Sequence, residues 1–453
     1  MKVAVISDTH LGFKWNSERR EDSFKNAEEA FNKALDEADI ILLPGDIFDT
    51  KTPSQEVFSK AFNIFEKVVN TRGDYPSVKG KKWEEGKIPV VAIHGTHERR
   101  SRGYVNPIQL LDDAGVLIHL HNDSVTVEKD GEKLNVFGMS GVPERYASEV
   151  LKKWSPRPKQ GDNILMLHQS VENFVYTEDG KHVKLTDLPK DFDFIIDGHI
   201  HWKNLEFQSR DVPLMFPGST ITTQITKREA ERDKGFVMID TDKNETKFIP
   251  LKEPREVFYD EIDVSSLSGE EVVEKTVSLA EENAKNLDKK PLQRIVLKGE
   301  KNGSFSLSEI RKKIESSILS IDKKTYSKEE GEEALEKIDV EKAGLEEISK
   351  NIQFKEFEDF FQKLSEGKND EVIERLVSMD LSELKKFLEK TKEKSIEDED
   401  GNSSEEKSLE KKDRKINRKE SGKDSKQEVK EKKDKKVEKT VEKGKENVLD
   451  YFN

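Results

Sequence analysis

The chain has 453 residues, room for two or three domains, and a formal net charge of −14. It contains no cysteine, which excludes disulfides, thiolate metal sites and a cysteine nucleophile. No run approaches ~18 apolar residues and no leader precedes the first strand, so a soluble, cytoplasmic, nucleoid-associated protein is expected.

Over residues 1–250, short apolar runs alternate with amphipathic stretches. The runs at 3–6, 40–43, 90–93, 164–167 and 194–196 each stop at a Gly or a polar residue and read as buried strands. Helices are expected over 23–38 and 54–69. This βα alternation predicts an α/β sandwich, with alternating runs at 134–139, 235–240 and 245–250 forming a second sheet. The polar stretch 71–87 exceeds the usual helix-to-strand connection and has no evident role.

Residues 251–321 read as a small α+β unit: strand 257–262, helix 269–285, strand 293–298, helix 307–316. Residues 322–350 are charged and read as a linker. In 351–390, Phe354, Phe357, Phe361 and Leu364 fall on one helical face. That island either packs on the parent domain or docks on a partner, helix in groove.

From 391 to 446 there are 19 basic and 17 acidic residues, with six aliphatics and no aromatics. Such a segment cannot bury enough surface to offset its ordering entropy and is expected to be disordered. The acidity therefore belongs to residues 1–390, which argues against DNA binding by bulk charge but leaves room for a basic groove. Residues 447–453 regain apolar character in Val448, Leu449, Tyr451 and Phe452, the layout of a tethered peptide ligand.

The residues that follow the strands carry the chemistry. Asp8-Thr9-His10, Gly45-Asp46-Ile47-Phe48-Asp49, Gly95-Thr96-His97-Glu98, His168 and Gly198-His199-Ile200-His201 each close an apolar run on a metal-ligand residue type. Ligands at the carboxyl ends of parallel strands converge on one crevice. Two divalent ions about 3.5–4 Å apart clamp the attacking and leaving oxygens of a displacement at phosphorus. Asp46 is the natural bridge, since Gly45 lets the backbone turn there. Asp8 and His10 point to one side if the chain stays extended. Each member has a bland alternative: a lone histidine such as His168 is usually a core or surface residue. His94, His119, His121 and His182 are left in that class, and Asp49 suits orientation or helix capping. Jointly, the series points to a two-metal phosphoesterase.

The order D-x-H, G-D-x-x-D, G-N-H-[DE], H, G-H-x-H resembles the calcineurin-type metallophosphoesterases. Ser7-Asp8-Thr9-His10-Leu11-Gly12 with the second motif, and Pro217-Gly218-Ser219-Thr220 followed by Lys234-Gly235-Phe236, are similar to the Mre-eleven/SbcD family of DNA double-strand-break repair nucleases, particularly archaeal forms. The likeness is strong over residues 1–250. The second domain matches the family's capping domain by position and size, and the tail by arrangement.

That resemblance implies an αββα sandwich with an α+β cap, a helical partner-binding segment and a charged tail. It implies two manganese ions: one on Asp8, His10, Asp46 and His201, the other on Asp46, His168, His199 and residue 96. His97 would serve as the acid at the leaving oxygen. Arg99, Arg100 and Arg102, next to that motif, suit contacts to DNA phosphate, the alternative being an ordinary surface role. The resemblance also implies a homodimer through helices near the second and third motifs. Candidates are Phe58, Phe62, Phe65, Ile108, Leu110 and Leu111, unless they face the parent sheet. It further implies that a Rad-fifty-type coiled-coil ATPase docks on 351–390, and the terminal peptide resembles sliding-clamp ligands, with Lys445 where their glutamine stands.

One position departs from the family. Thr96 replaces the asparagine that would supply an amide oxygen to the second metal, and its hydroxyl is a shorter, poorer ligand. The expected function is manganese-dependent DNA exonuclease and endonuclease activity in a break-processing complex. Its rivals are an end-tethering scaffold with weak nuclease activity, and a phosphodiesterase acting on small phosphoesters.

Overall fold

The structure, a computed structural model, describes residues 1–326 apart from 102, 173, 175–181, 206–207 and 210–211. The linker beyond 326, the island with Phe354, Phe357, Phe361 and Leu364, the charged tail and the terminal peptide lie outside the described residues.

Two mixed sheets stack face to face. The first runs in the order Glu245–Pro250, Gly235–Asp240, Lys2–Val5, Ile40–Pro44, Val90–Ile93, Ile118–His119, with the last four strands parallel. In the second the order is Gln208–Ser209, Val212–Met215, Phe194–Asp197, Asp162–Leu167, Glu132–Met139, Asp123–Lys129, Ser77–Lys79. Its central four strands, from Val212–Met215 to Glu132–Met139, are parallel.

The side-chain alternation of the strands explains why both sheets are apolar throughout. Val3, Val5, Ile40 and Leu42 face Val136, Ile164, Met166 and Ile196 of the second sheet. Their neighbours Ala4, Ile6, Ile41 and Leu43 face the other way, onto Phe24, Phe31, Val57 and Phe65 of helices Asp22–Leu35 and Gln55–Asn70. On the far side, Leu165, Leu167 and Ile195 pack on Ala147, Val150 and Leu151 of helix Glu144–Trp154. Strands covered on both faces need a continuous apolar sequence, and the result is a helix–sheet–sheet–helix stack.

Two expectations need correction. Gly235–Asp240 and Glu245–Pro250 do not join the second sheet. They extend the first, antiparallel to Lys2–Val5. Residues 71–87 also acquire a structural role, because Ser77–Lys79 pairs with 126–128 as the edge strand of the second sheet, and Trp83 packs on both the inter-sheet core and the helix-side core of the first sheet.

The small domain is a parallel sheet of Val257–Asp263, Leu292–Glu300 and Ile318–Tyr326, with helices Gly269–Ala284 and Leu307–Lys313 between the strands. It is therefore a βαβαβ unit, the expected strand–helix–strand–helix run completed by a third strand. Its third strand covers 322–326, which read as linker because Lys323 and Lys324 on this edge strand are exposed. Among the described residues, several contacts fasten the domain to the sandwich. Arg255 Nε donates to both Asp22 oxygens at 3.0 and 2.8 Å. Glu29 accepts the Lys252 and Glu253 N–H groups, at 2.9 and 2.8 Å. Arg294 reaches the Ile225 carbonyl at 3.0 Å.

Candidate metal centre

The ligand-bearing loops leave the carboxyl ends of strands in both sheets and run side by side. Asp8 N donates to Gly45 O, His10 N to Asp46 O and Leu11 N to Ile47 O, at 3.3, 3.0 and 2.7 Å. This lattice holds Asp8, His10 and Asp46 at φ of 50°, 42° and 46°, the left-handed region, which costs ~1–3 kcal/mol per residue unless the surroundings fix it. The chain at Asp8 and His10 is thus coiled, so the condition under which an extended strand would point both to one side is not met. Close approach demands glycine at several points of these loops, two of them against ligand side chains. A Cβ on Gly45 would sit 2.4 Å from His168 Nδ1, and one on Gly95 would sit 2.1 Å from Asp46 Oδ1.

Asp8, Asp46, His10 and His168 are at most 2% exposed, and the donor atoms gather into small sets. Those of Asp8, His10 and His201 lie within 4.8 Å of one another, as do those of Asp8, Asp46 and His168, and those of His10, Asp49 and His97. His10 Nε2 and His201 Nε2 are 3.2 Å apart. His168 Nε2 lies 3.1 Å from Asp46 Oδ2, yet neither it nor Asp8 Oδ1 has an aligned hydrogen-bond partner. His199 stacks edge-on to His168, with ring centroids 5.2 Å apart.

The opposite ring nitrogens are anchored on oxygens. His10 Nδ1 is 3.3 Å from Asp49 Oδ1, His168 Nδ1 is 2.8 Å from Pro44 O, and His201 Nδ1 is 2.8 Å from Thr223 Oγ1. Such outer partners fix the tautomer and aim the other ring nitrogen, as metal sites require. Buried, unsatisfied carboxylate and imidazole atoms aimed at common points are what divalent cations complete, so the residues fit metal ions.

The electrostatics bear on that fit group by group. Burial works against the Asp46 charge, but the neighbouring His168, His10 and His97 outweigh it and hold the carboxyl well below its usual range. Burial opposes a charge on His168 too, yet Asp46 and Asp8 bring it up to about 10, so a cation bound there would have to displace its proton. Burial, reinforced by His168, takes His199 down to about 3, and burial likewise depresses His201. Both are neutral at physiological pH, the form that donates to a metal. Asp8 is pushed well up by burial and by Asp46, a cost that a cation would relieve.

Thr96 reaches the site, but its Oγ1 donates to Asp46 Oδ2 at 3.3 Å. His97 is the accessible member, its side chain 44% exposed, with Nδ1 held by Asp49 O at 2.8 Å and its backbone N–H on Asp46 Oδ1 at 2.9 Å. Arg99 is half-buried near His94. Arg100 is turned to its own loop, donating to Val105 O at 3.2 Å beside the Tyr104 ring. Arg102 lies outside the described residues. His94 and His119 form a separate pair, 3.0 Å apart, in contact with Ser140 and Gln109.

Sequence reasoning missed three supports. Glu98, fully buried, accepts Phe48 N at 2.7 Å and Gly95 N at 2.8 Å, so it clamps the second and third motifs together. Burial and Asp46 push it up to about 8. Asp197 accepts the His199 N–H at 3.0 Å. Lys234 Nζ, paired with Glu229, donates to His201 O at 3.1 Å and to Ser219 Oγ at 2.9 Å. Glu98 and Lys234 stand inside quoted motifs and Asp197 just before one, but a charged residue at such a position reads equally well as solvent-facing.

A family model described as calcineurin-like phosphoesterase matches residues 1–203, ending two residues past His201. The chain is similar to proteins described as DNA double-strand break repair protein Mre11. It is 25% identical to that of Methanopyrus kandleri over 60% of each chain. It is 28% identical to that of Thermoplasma acidophilum over 68% of this chain and 79% of that one. Residues 1–203 thus match the calcineurin-like phosphoesterases, and the chain is similar to Mre11 proteins over 60–68% of its length. The Sulfolobus acidocaldarius Mre11 is 26% identical over 66% of this chain and 75% of its own. The alignment with the Methanopyrus Mre11 therefore spans three-fifths of that protein's length.

Of the residues proposed for dimerisation, Phe65, Ile108 and Leu111 belong to the core, whereas Phe62 and Leu110 are 37% and 48% exposed, as are Tyr104 and Val105 nearby at 65% and 55%. No described helix is long and apolar enough to cross a membrane.

Proposed function

We propose that this chain is an Mre11-type, manganese-dependent DNA phosphodiesterase with exonuclease and endonuclease activity. The observation that carries the reading is the convergence of Asp8, His10, Asp46, His168, His199 and His201 on one crevice, beside an accessible His97. Asp8, His10, Asp46 and His201 would hold one manganese ion, and Asp46, His168, His199 and Thr96 the other. Two such ions neutralise phosphoryl charge and generate a nucleophile at neutral pH.

The chain's own residues do the rest. His97 Nδ1–H is fixed on Asp49 O, so Nε2 is the atom that delivers a proton to the departing oxygen. The Asp46 carboxylate accepts the His97 backbone N–H, which ties the position of this acid to that of the bridging ligand. Asp49, between His10 and His97, keeps both rings in register. Arg99 and Arg102 would contact backbone phosphate and position DNA without reading sequence.

The partners follow from the family: DNA ends, a second copy through the exposed Phe62 and Leu110, and a Rad-fifty-type ATPase on residues 351–390. A sliding clamp would take the peptide at 447–453. One observation favours a second reading, a tethering scaffold with weak nuclease activity, because the Thr96 hydroxyl is engaged with Asp46.

The test is cleavage of linear DNA by the full chain with manganese, beside His97→Ala. We expect chelator-sensitive cleavage, with His97→Ala slower by roughly 10²–10⁴-fold. No manganese-dependent cleavage, with ATPase binding intact, would establish the scaffold reading.

A further inference from the structure

Beside the metal centre opens a cavity of about 400 Å³, within the ~300–1,000 Å³ range of small-ligand sites, lined by His201, Trp202, Gln224, Thr226, Lys227 and Arg228. Trp202 follows His201 directly in sequence. Its indole is half-buried and packs in part on the cluster containing Ile200 and Phe216, which fixes the ring, while the remainder borders the cavity. The Arg228 guanidinium lies 5.2 Å from the ring centroid. Lys227 and Arg228 are exposed and make the rim cationic. The one acid in the lining, Glu229, is bonded to the buried Lys234 and not to either rim cation. Thr226 Oγ1 accepts Glu229 N at 3.3 Å, so its own proton is available to a ligand edge.

The geometry points to a nucleobase subsite: Trp202, flanked by Arg228, stacks the base of the nucleotide adjoining the scissile phosphate. The inference rests on the DNA phosphodiesterase reading above. A rigid aromatic face, a guanidinium and a cationic rim are what single-stranded nucleic acid requires of a protein. A metal ligand in the wall, His201, places the stacked base within one nucleotide of the reacting phosphorus. Every base has a π face, so the subsite tolerates any sequence. It distinguishes a strand with an unstacked base at that position from one without.

The experiment uses the full chain with manganese and a set of single-stranded oligonucleotides in which one abasic position is walked across the cut site. At one position, base removal should lower kcat/KM of the parent roughly 5- to 150-fold, the span expected for stacking one base on an aromatic ring. Trp202→Ala should show a loss of similar size on the intact strand and no further loss on the abasic one. Trp202→Phe should keep the parent's sensitivity. Should Trp202→Ala be too damaged to cleave, Trp202→Leu, which retains apolar packing but has no π face, should be indifferent to base removal. A parent indifferent at every position, or a Trp202→Ala or Trp202→Leu variant as sensitive as the parent, overturns the subsite alone. A parent that cleaves no oligonucleotide overturns the phosphodiesterase reading itself.

Discussion

Glu98 offers the sharpest test of how the centre is held. Its two oxygens accept the N–H groups of Phe48 and Gly95, all in a fully buried setting. In Glu98→Ala both N–H groups lose their partner, and at ~1–3 kcal/mol for each orphaned buried group the fold should lose about 2–6 kcal/mol. Glu98→Gln keeps one acceptor and sets an amide NH₂ against the other N–H, so about 1–2 kcal/mol is expected.

The carboxyl adds a pH signature. Its folded value, about 8, stands above the ordinary 4.5, so between those values the folded state binds the extra proton. Stability from this group is complete below pH 4.5 and is lost as pH rises towards 8, at no more than ~1.4 kcal/mol per unit. Glutamine does not titrate, so the gap between Glu98→Gln and the parent should narrow as pH is raised from 6 to 8.5. Urea unfolding of the metal-free proteins at a series of pH values measures both effects. An alanine variant within about 0.5 kcal/mol of the parent, the ordinary spread of neutral surface changes, would refute the clamp, and a pH-independent gap would refute the raised carboxyl.

Further outcomes follow from the same geometry. Gly45→Ala, whose Cβ would strike His168, should abolish the thermal stabilisation that manganese confers, read by calorimetry with and without the ion. Thr96→Asn should raise manganese affinity and cleavage rate, and unchanged binding isotherms would show that position 96 does not supply a ligand. Replacing exposed Leu110 or Phe62 by Glu should convert a dimer to a monomer in light scattering with the fold intact, whereas an unaltered mass would remove this face from the interface. Deleting residues 351–390 should abolish co-purification with the ATPase and leave manganese-dependent hydrolysis of small phosphodiesters, and a complex that survives the deletion would make the island a packing element.

Much of the sandwich was legible because strands covered on both faces must be apolar throughout, as residues 3–6, 40–43 and 164–167 are. Ligand types directly after such strands located the crevice for the same reason. What stayed hidden depends on long-range pairing. Alternation marks Gly235–Asp240 as a strand but not its neighbour, and that neighbour turned out to be Lys2–Val5. Ile318–Tyr326 is an edge strand with only Ile321 buried, so its lysines resembled a linker. Glu98, Asp197 and Lys234 act on backbone groups brought from other motifs by the fold. The left-handed backbone at Asp8 and His10 arises from the adjacent 45–47 loop, which local sequence does not encode.

The central claim is a two-metal phosphodiesterase, and its most direct test is cleavage rate against manganese bound per chain, followed by titrating metal-free protein. The account predicts two equivalents bound, with cleavage of linear DNA appearing only as the second fills, and Asp46→Asn binding less than one with no cleavage. Full activity at one equivalent, or unchanged binding in Asp46→Asn, would contradict it.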